Sequence, residues 1–157
     1  MLKPDKLSAL YDEAFELTTN TPEIGRTLVG NCTTVHYGML HRARQLFGAS
    51  VQFTLGSVEI GGQRHFDFTQ AEFDAWVAGV TKPTYNLHAW LALPDFNDEL
   101  IDLTLAATLP RLSSAVLPSS TTYLTRRTAE AYGIRHDPSH FGDDLLFRLR
   151  LVRGFRV

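Results

Sequence analysis

Two short apolar runs, each carrying one ionisable residue, constrain the fold of this chain more than any other feature. The run NLHAWLAL contains His88, and the run LIDLTL contains Asp102. The PDFND segment between them is rich in turn-forming residues, so the pattern predicts a hairpin of two strands over about 85–93 and 99–105. An imidazole and a carboxylate inside predicted sheet core are costly unless each finds a partner.

The parity of the predicted hairpin supplies such a partner. If Ala89 faces Ile101, one face of the hairpin is wholly apolar, and His88 lies directly opposite Asp102 on the other face. Residues directly opposite on antiparallel strands have Cβ atoms about 4.5–5.5 Å apart. The sequence therefore predicts that Asp102 accepts a hydrogen bond from the imidazole of His88.

Helical periodicity is clearest from Cys32 to Phe47, where apolar residues recur every third or fourth position and Gly48 follows as a stop signal. We predict that the polar face of this helix, including His36, points to water or to the helix C-terminal end. The other polar residues assigned to that face are His41, Arg42 and Arg44.

Two further helices and a short turn are predicted. Apolar spacing indicates a helix over about 5–18, and Pro22 is placed to start a short helical turn. Thr69 and Glu72 form a Thr-x-x-Glu capping box, which predicts a helix over about 70–79.

Strand patterns dominate elsewhere. Branched and aromatic residues over 49–60, then two glycines, predict a strand whose hairpin partner lies within 63–68. The region 106–142 is interpreted as loop with one short helix in TYLTRRTAEAYG, and the C-terminal LLFRLRLV alternates as a strand would. Helices followed by mostly antiparallel strands indicate an α+β fold, with N-terminal helices packed on the sheet in a single domain over 1–157.

Composition narrows the function classes. The chain has 157 residues, 44% of them hydrophobic, which is enough for one sizeable core. Its net charge of −2 gives no global positive field, so we expect no nucleic-acid partner. No run of 18 apolar residues and no signal-peptide pattern is present, so we expect no membrane association. Cys32 is the only cysteine and cannot form an intramolecular disulfide, which fits a cytoplasmic protein.

Cys32 is the candidate nucleophile. A histidine held by an aspartate is half of a nucleophilic site, and a thiol whose proton the imidazole can take would complete it. Cys32 begins the clearest predicted helix, where unpaired backbone N–H groups stabilise a thiolate and can also steady an oxyanion.

Four motifs in order resemble the transglutaminase-like branch of the papain-like cysteine enzymes. They are GNC at 30–32, ARQLFGASVQFTLG at 43–56, HAW at 88–90 and IDLT at 101–104. The resemblance spans about 28–105 and implies a transglutaminase-like fold. It also implies that Cys32 is the nucleophile, that His88 is the general base and then the acid, and that Asp102 orients His88.

The chain departs from that family at three places. Glu99 and Leu100 stand where many relatives carry a Trp before the hydrophobic-Asp pair, and the inserted segment 63–84 is longer than the shortest family connections. No Gln or Trp before Gly30 is recognisable as an oxyanion donor, so the backbone N–H of Cys32 is the one donor the sequence names.

These features predict a cysteine-dependent acyl-transfer enzyme that acts on a peptide or protein substrate without a cofactor. Hydrolysis of an amide bond is the first expectation, and transglutaminase-type transfer to an amine is the second. Trp90 is interpreted first as a side chain that packs over the three catalytic residues and second as the candidate substrate-binding residue. The alternatives are an inactive binding or scaffold module of the same fold and an arylamine-acyltransferase-like enzyme that uses acyl-CoA.

A metal site is not predicted. His136 and His140 have helical i, i+4 spacing, but Pro138 between them argues against a regular helix, and no third ligand is evident. Arginines near the C-terminus, beginning with Arg148, are interpreted as a solvated sheet face.

Overall fold

The computed structural model describes residues 2–79, 86–113 and 117–149, and it has the predicted α+β class. Its helices are α1 (Pro4–Thr19), α2 (Cys32–Phe47), α3 (Gln70–Ala78), α4 (Leu105–Thr108), α5 (Arg126–Ala131) and α6 (Leu145–Arg148). Its strands are β1 (Gln52–Ile60), β2 (Gln63–His65), β3 (His88–Leu93), β4 (Glu99–Asp102), β5 (Leu124–Thr125) and β6 (Ile134–Phe141). All pairings among these strands are antiparallel.

Helices α1, α2, α3 and α5 form where the sequence predicted helices, whereas α4 and α6 were not predicted. α1 begins with Pro4 at its first position, a short 3₁₀ turn follows at Pro22–Ile24, and α2 begins at Cys32. The capping box of α3 is confirmed, because the Thr69 hydroxyl accepts the Glu72 N–H while the Glu72 carboxylate accepts the Thr69 N–H. These local signals therefore set the helix starts.

β1 is the central strand of the sheet. β3 pairs with the first half of β1 and β2 with its last three residues, while β6 pairs along the opposite edge. The sheet continues from β3 through β4 to β5. The β1–β2 hairpin turns at Gly61 and Gly62, as predicted.

The sheet has an apolar core on each face. Alternate residues of β1, β3 and β4 pack against α1 and α2, including Phe53, Leu91 and Ile101. On the other face Val58 and Ile134 belong to a smaller core with α4 and α5. His88, Trp90 and other polar or aromatic side chains at the strand ends are buried beside these cores, which is where the candidate site lies.

The predicted β3–β4 hairpin is present, but its predicted register was wrong by two residues. Leu91, and not Ala89, faces Ile101. A shift of two keeps every side chain on its predicted face, so the apolar set is unchanged. His88 consequently lies diagonally from Asp102 and not directly opposite it. The start of the predicted strand at residue 85 and the end of the 63–84 insertion lie outside the described residues.

The predicted C-terminal strand was also wrong. Residues Leu145–Arg148 form α6, in which Leu145 and Leu146 are buried, and Leu149 directly after the helix is buried as well. Those three leucines follow helical spacing. A short apolar run is compatible with the period of a helix and with that of a strand, so packing determines which one forms. The arginines after Arg148 lie outside the described residues.

The region left mostly unassigned contains one functional strand. Within 106–142 the structure has α5, where a short helix was predicted, and β6, where no strand was predicted. Pro138 lies in β6 next to a register shift in its pairing with β1, a position that tolerates proline in a strand. No helix in the described part of the chain is long and apolar enough to cross a membrane.

Candidate functional site

The three residues predicted to carry chemistry come from three different elements. Cys32 is the first residue of α2, His88 is the first residue of β3, and Asp102 is the last residue of β4. His88 and Asp102 are buried, with 1% and 0% of their surfaces exposed, whereas Cys32 is half-buried. The ends of two strands and the start of one helix therefore meet at one place.

Asp102 is held by four hydrogen bonds. Its Oδ1 accepts the backbone N–H groups of Thr104 (3.1 Å) and Leu105 (2.9 Å). Its Oδ2 accepts Nε2–H of His88 at 2.7 Å and Nε2–H of His136 at 2.8 Å. A carboxylate has about four lone-pair sites, so the acceptor capacity of this group is filled by the protein itself.

These contacts set the ionisation of the pair. Burial opposes the charge of Asp102, but His88 and the hydrogen bonds from both imidazoles hold its pKa well below the usual range. Burial also opposes the charge of His88, but Asp102 and Cys32, by charge and by hydrogen bonding, raise the pKa of His88 to about 10. The imidazole of His88 therefore keeps its proton at neutral pH.

The atom assignment at His88 follows from these partners. Nε2 is engaged by Asp102 at 2.7 Å. Nδ1 is the ring nitrogen that Asp102 leaves free, and Cys32 lies close enough to His88 to help raise the pKa of this imidazole. The predicted hydrogen bond between His88 and Asp102 is therefore present, even though the predicted register was off by two, while the partnership of Cys32 with this pair stays a prediction.

His36 does not point to water, and that prediction was wrong. It is 0% exposed, its Nδ1–H donates to the carbonyl of Cys32 at 2.7 Å, and its Nε2 accepts the N–H of Leu103 at 2.9 Å. Burial lowers the pKa of His36 to about 4, against the attraction of Asp102. A neutral imidazole of fixed tautomer thus ties the start of α2 to the end of β4.

His136 is the functional residue that the sequence analysis missed. It was considered only as a metal ligand with His140, yet the ring of His140 contacts Gln70 and Ser139. The alternation of buried Ile134 and His136 before Pro138 was the available signal for a strand with a buried histidine.

Aromatic rings enclose His88. Phe66 stacks on it with ring centroids 5.2 Å apart, and Trp90 lies 6.0 Å from it. Trp90 is 2% exposed and also contacts His136 edge-on at 5.0 Å. These rings limit water around the imidazole, which strengthens the electrostatic interactions inside the site.

Trp90 also lines a cleft of about 400 Å³ on the outer side of the site. Leu100, Pro138 and Phe141 line the same cleft, with Arg126 among its polar residues. Trp90 thus packs beside His88 and also lines a cleft large enough for a small ligand or a peptide side chain, although Cys32 and His88 are not among the residues that line it.

The start of α2 leaves its first N–H groups without a side-chain cap. Asn31 occupies the capping position, but its side-chain amide donates to the carbonyls of Ile24 (2.9 Å) and Thr27 (2.8 Å) instead. The same amide is 3.3 Å from the Val29 carbonyl. The backbone N–H groups beside Cys32 are therefore free of a side-chain acceptor where an oxyanion would need donors.

His88, Asp102 and His136 are also a group of side chains with metal-ligand chemistry, whose ligand atoms lie within 4.8 Å of one another. Ligands of one tetrahedral zinc ion with bonds near 2.1 Å stand about 3.3 Å apart. Both imidazole nitrogens are closer than that to Oδ2, at 2.7 and 2.8 Å. The observed distances therefore fit protons shared in hydrogen bonds better than an ion held among the three residues.

Comparison with known proteins identifies no relative, so the function of this chain is inferred from the geometry of the site. No family model, no curated protein and no solved structure matches the chain.

Proposed function

We propose that this protein is a cysteine-dependent acyl-transfer enzyme with Cys32 as nucleophile, His88 as general base and acid, and Asp102 as the residue that orients His88. The observation that carries the proposal is the buried imidazole of His88, whose Nε2 lies 2.7 Å from Asp102 and whose pKa is raised by Asp102 and by the nearby Cys32. The four motifs that resemble the transglutaminase-like family support the same roles. We extend the proposal to a transglutaminase-like form of the α+β fold.

In the first half of the reaction His88 takes the proton of the Cys32 thiol, and the thiolate attacks a substrate carbonyl. The tetrahedral intermediate collapses as His88 gives that proton to the departing amine, and the acyl group remains on sulfur. In the second half His88 takes a proton from water or from an amine, which attacks the thioester. Collapse returns the proton to sulfur and releases the acid or the new amide.

The oxyanion is assigned to the start of α2. Backbone N–H groups at an uncapped helix start point outward and carry partial positive charge, which suits a developing negative oxygen. The N–H of Cys32 is the donor closest in sequence to the attacking sulfur, and Asn31 leaves it without a side-chain competitor. Peptide or protein amides are the proposed substrates, with hydrolysis preferred over transfer to an amine.

The test is the reactivity of Cys32 at low pH. At pH 6 an ordinary thiol with a pKa near 8.5 is about 0.3% thiolate. A Cys32 thiolate paired with His88 should therefore react with iodoacetamide at least about tenfold faster than such a thiol. We expect this excess in the wild type and its loss in His88→Ala and His88→Gln. His41→Ala is the matched control, because His41 is an exposed histidine on the same helix.

Catalytic turnover is measured with a screen of peptide amides, in which the wild type and Cys32→Ala are assayed side by side. Release of product by the wild type alone supports acyl transfer, and added primary amines then separate hydrolysis from transfer. Slow alkylation at equal rates in wild type and the His88 variants would reject the enzyme and favour a binding module.

A further inference from the structure

Two histidines donate to one carboxylate oxygen in this site. His88 and His136 both place Nε2 on Oδ2 of Asp102, at 2.7 and 2.8 Å. The His136 side chain is 1% exposed and comes from β6, on the far side of β1 from His88. The sharing is therefore a feature of how the sheet folds around Asp102 and not of neighbouring residues in sequence.

The two imidazoles differ at their second nitrogen. His88 has Asp102 on Nε2 and Cys32 nearby, and both of these groups favour its charged form. Nδ1 of His136 is buried, and no described residue offers it a hydrogen bond. A proton on that nitrogen would leave a buried N–H donor without an acceptor, which costs free energy. An unprotonated nitrogen in the same place has a smaller free-energy cost.

The remaining titratable groups around Asp102 agree with this division. They are His36 and Cys32 from α2, and His36 is fixed as a neutral ring by its two backbone partners. Its Nε2 lies 3.8 Å from Oδ1 of Asp102 without donating to it. Of the three histidines at this carboxylate, His88 alone has partners suited to a positive charge.

We propose that His136 is a positioning residue which, as a neutral donor to Asp102, limits how strongly this carboxylate holds the proton of His88. The proposal rests on the proposed function and describes the control of the same site. Each donor to a carboxylate reduces its basicity, so a carboxylate with four donors is a weaker partner for an imidazolium than one with three. His88 must both hold a proton and release it to a leaving group, which an excessively strong partner would slow.

The variants are chosen to separate this role from packing. His136→Leu fills the space and removes the donor, whereas His136→Gln keeps an N–H close to the position of Nε2. His140→Leu is the matched control, because His140 is a histidine of the same strand that contacts Gln70 and not Asp102. Thermal unfolding checks that each variant is folded at the temperature of measurement.

The measurement is proton and nitrogen NMR of histidine-labelled protein. In the wild type at pH 7 we expect a downfield Nε2–H signal for each of His88 and His136, and an unprotonated Nδ1 in His136. In His136→Leu the His88 signal should move further downfield, because its hydrogen bond to Asp102 becomes stronger. His136→Gln should return it to near the wild-type position, and His140→Leu should leave it there.

Several results would overturn the proposal. They are a protonated Nδ1 of His136 in the wild type, an unshifted or upfield His88 signal in folded His136→Leu, and a Gln variant that matches the Leu variant. The wild-type measurement decides even if His136→Leu fails to fold. Alkylation of Cys32 tests the proposed function separately: an ordinary rate in the wild type rejects acyl transfer, while the NMR signals still decide the role of His136.

Discussion

Gly56 lies directly against the indole ring of Trp90. A Cβ at position 56 would stand 2.7 Å from Cη2 of Trp90 and 2.1 Å from the carbonyl oxygen of Asp137. Gly56 also pairs with His88 across the sheet and adjoins the register shift between β1 and β6. The absence of a side chain here is what lets β6, Trp90 and the candidate site approach one another.

We therefore expect Gly56→Ala to lower the free energy of unfolding by about 3 kcal/mol, because the carbonyl oxygen of Asp137 cannot move without shifting β6. Denaturant unfolding measures the change. Gly38→Ala is the control: its Cβ would meet Leu17 Cδ2 at 2.8 Å, but that is the end of a flexible side chain. Alanine also favours the helix by up to about 1 kcal/mol, so equal losses at both glycines would contradict this explanation.

Local signals made much of this fold predictable. Three signals each act over a few residues: the capping box at Thr69, the glycine pair after β1 and the apolar stripe from Cys32. The helix, turn or strand that each one predicted is present at that position. The meeting of Cys32 with the hairpin was also predicted, because the chemistry of a thiol, an imidazole and a carboxylate needs all three.

The rest depended on contacts between distant segments. His36 looked polar in a helical pattern, and only the end of β4 supplies the acceptor and donor that allow its burial. His136 lies 34 residues from Asp102 in the chain, on a strand whose pairing with β1 no local pattern fixed. A register slip by two residues preserves the hydrophobic pattern, so sequence parity alone could not exclude it.

Asp102→Asn should remove the fast alkylation of Cys32 that the proposed function expects. The variant keeps the shape of the side chain but loses a charge that raises the pKa of His88 to about 10. His88 is then a weaker base, and alkylation by iodoacetamide at pH 6 should fall at least about tenfold. At pH 9.5 an ordinary thiol is already ionised, so the two proteins should react within about threefold of each other.

Asp137→Asn is the control for this change. Asp137 is a half-exposed carboxylate on β6 that pairs with Arg64 at 3.1 Å, so its loss should leave the alkylation rate at pH 6 unchanged. Equal rates for wild type and Asp102→Asn at pH 6 would mean that Asp102 does not govern the sulfur.

Phe66 holds a backbone conformation that favours glycine. Its φ is 58°, and its ring stacks on His88 with 5.2 Å between centroids. Phe66→Gly and Phe66→Ala both lose the ring, so the difference between them isolates the backbone. We expect the free energy of unfolding of the Gly variant to exceed that of the Ala variant by about 1 kcal/mol, as measured by denaturant titration. An Ala variant that is the more stable one would show that the backbone at position 66 carries no strain that glycine relieves.

The burial of His36 should make the protein less stable in mild acid. Burial lowers the pKa of His36 from 6.5 to about 4. Between these values the unfolded chain takes up a proton that the folded protein resists, so stability is full above pH 6.5 and falls as the pH drops towards 4. The difference in pKa corresponds to a loss on the order of 3 kcal/mol.

Denaturant unfolding from pH 7 to 4 tests this expectation with His36→Gln, which does not titrate and keeps a donor and an acceptor. The variant should be less stable than wild type at pH 7 but should lose less stability on acidification. His41→Gln removes an exposed histidine from the same helix and should follow the wild-type profile. Parallel profiles for wild type and His36→Gln would mean that His36 is not the group that resists protonation. Because His36 joins Cys32 to Leu103, a confirmed profile would also place the pairing of α2 with β4 under the control of pH.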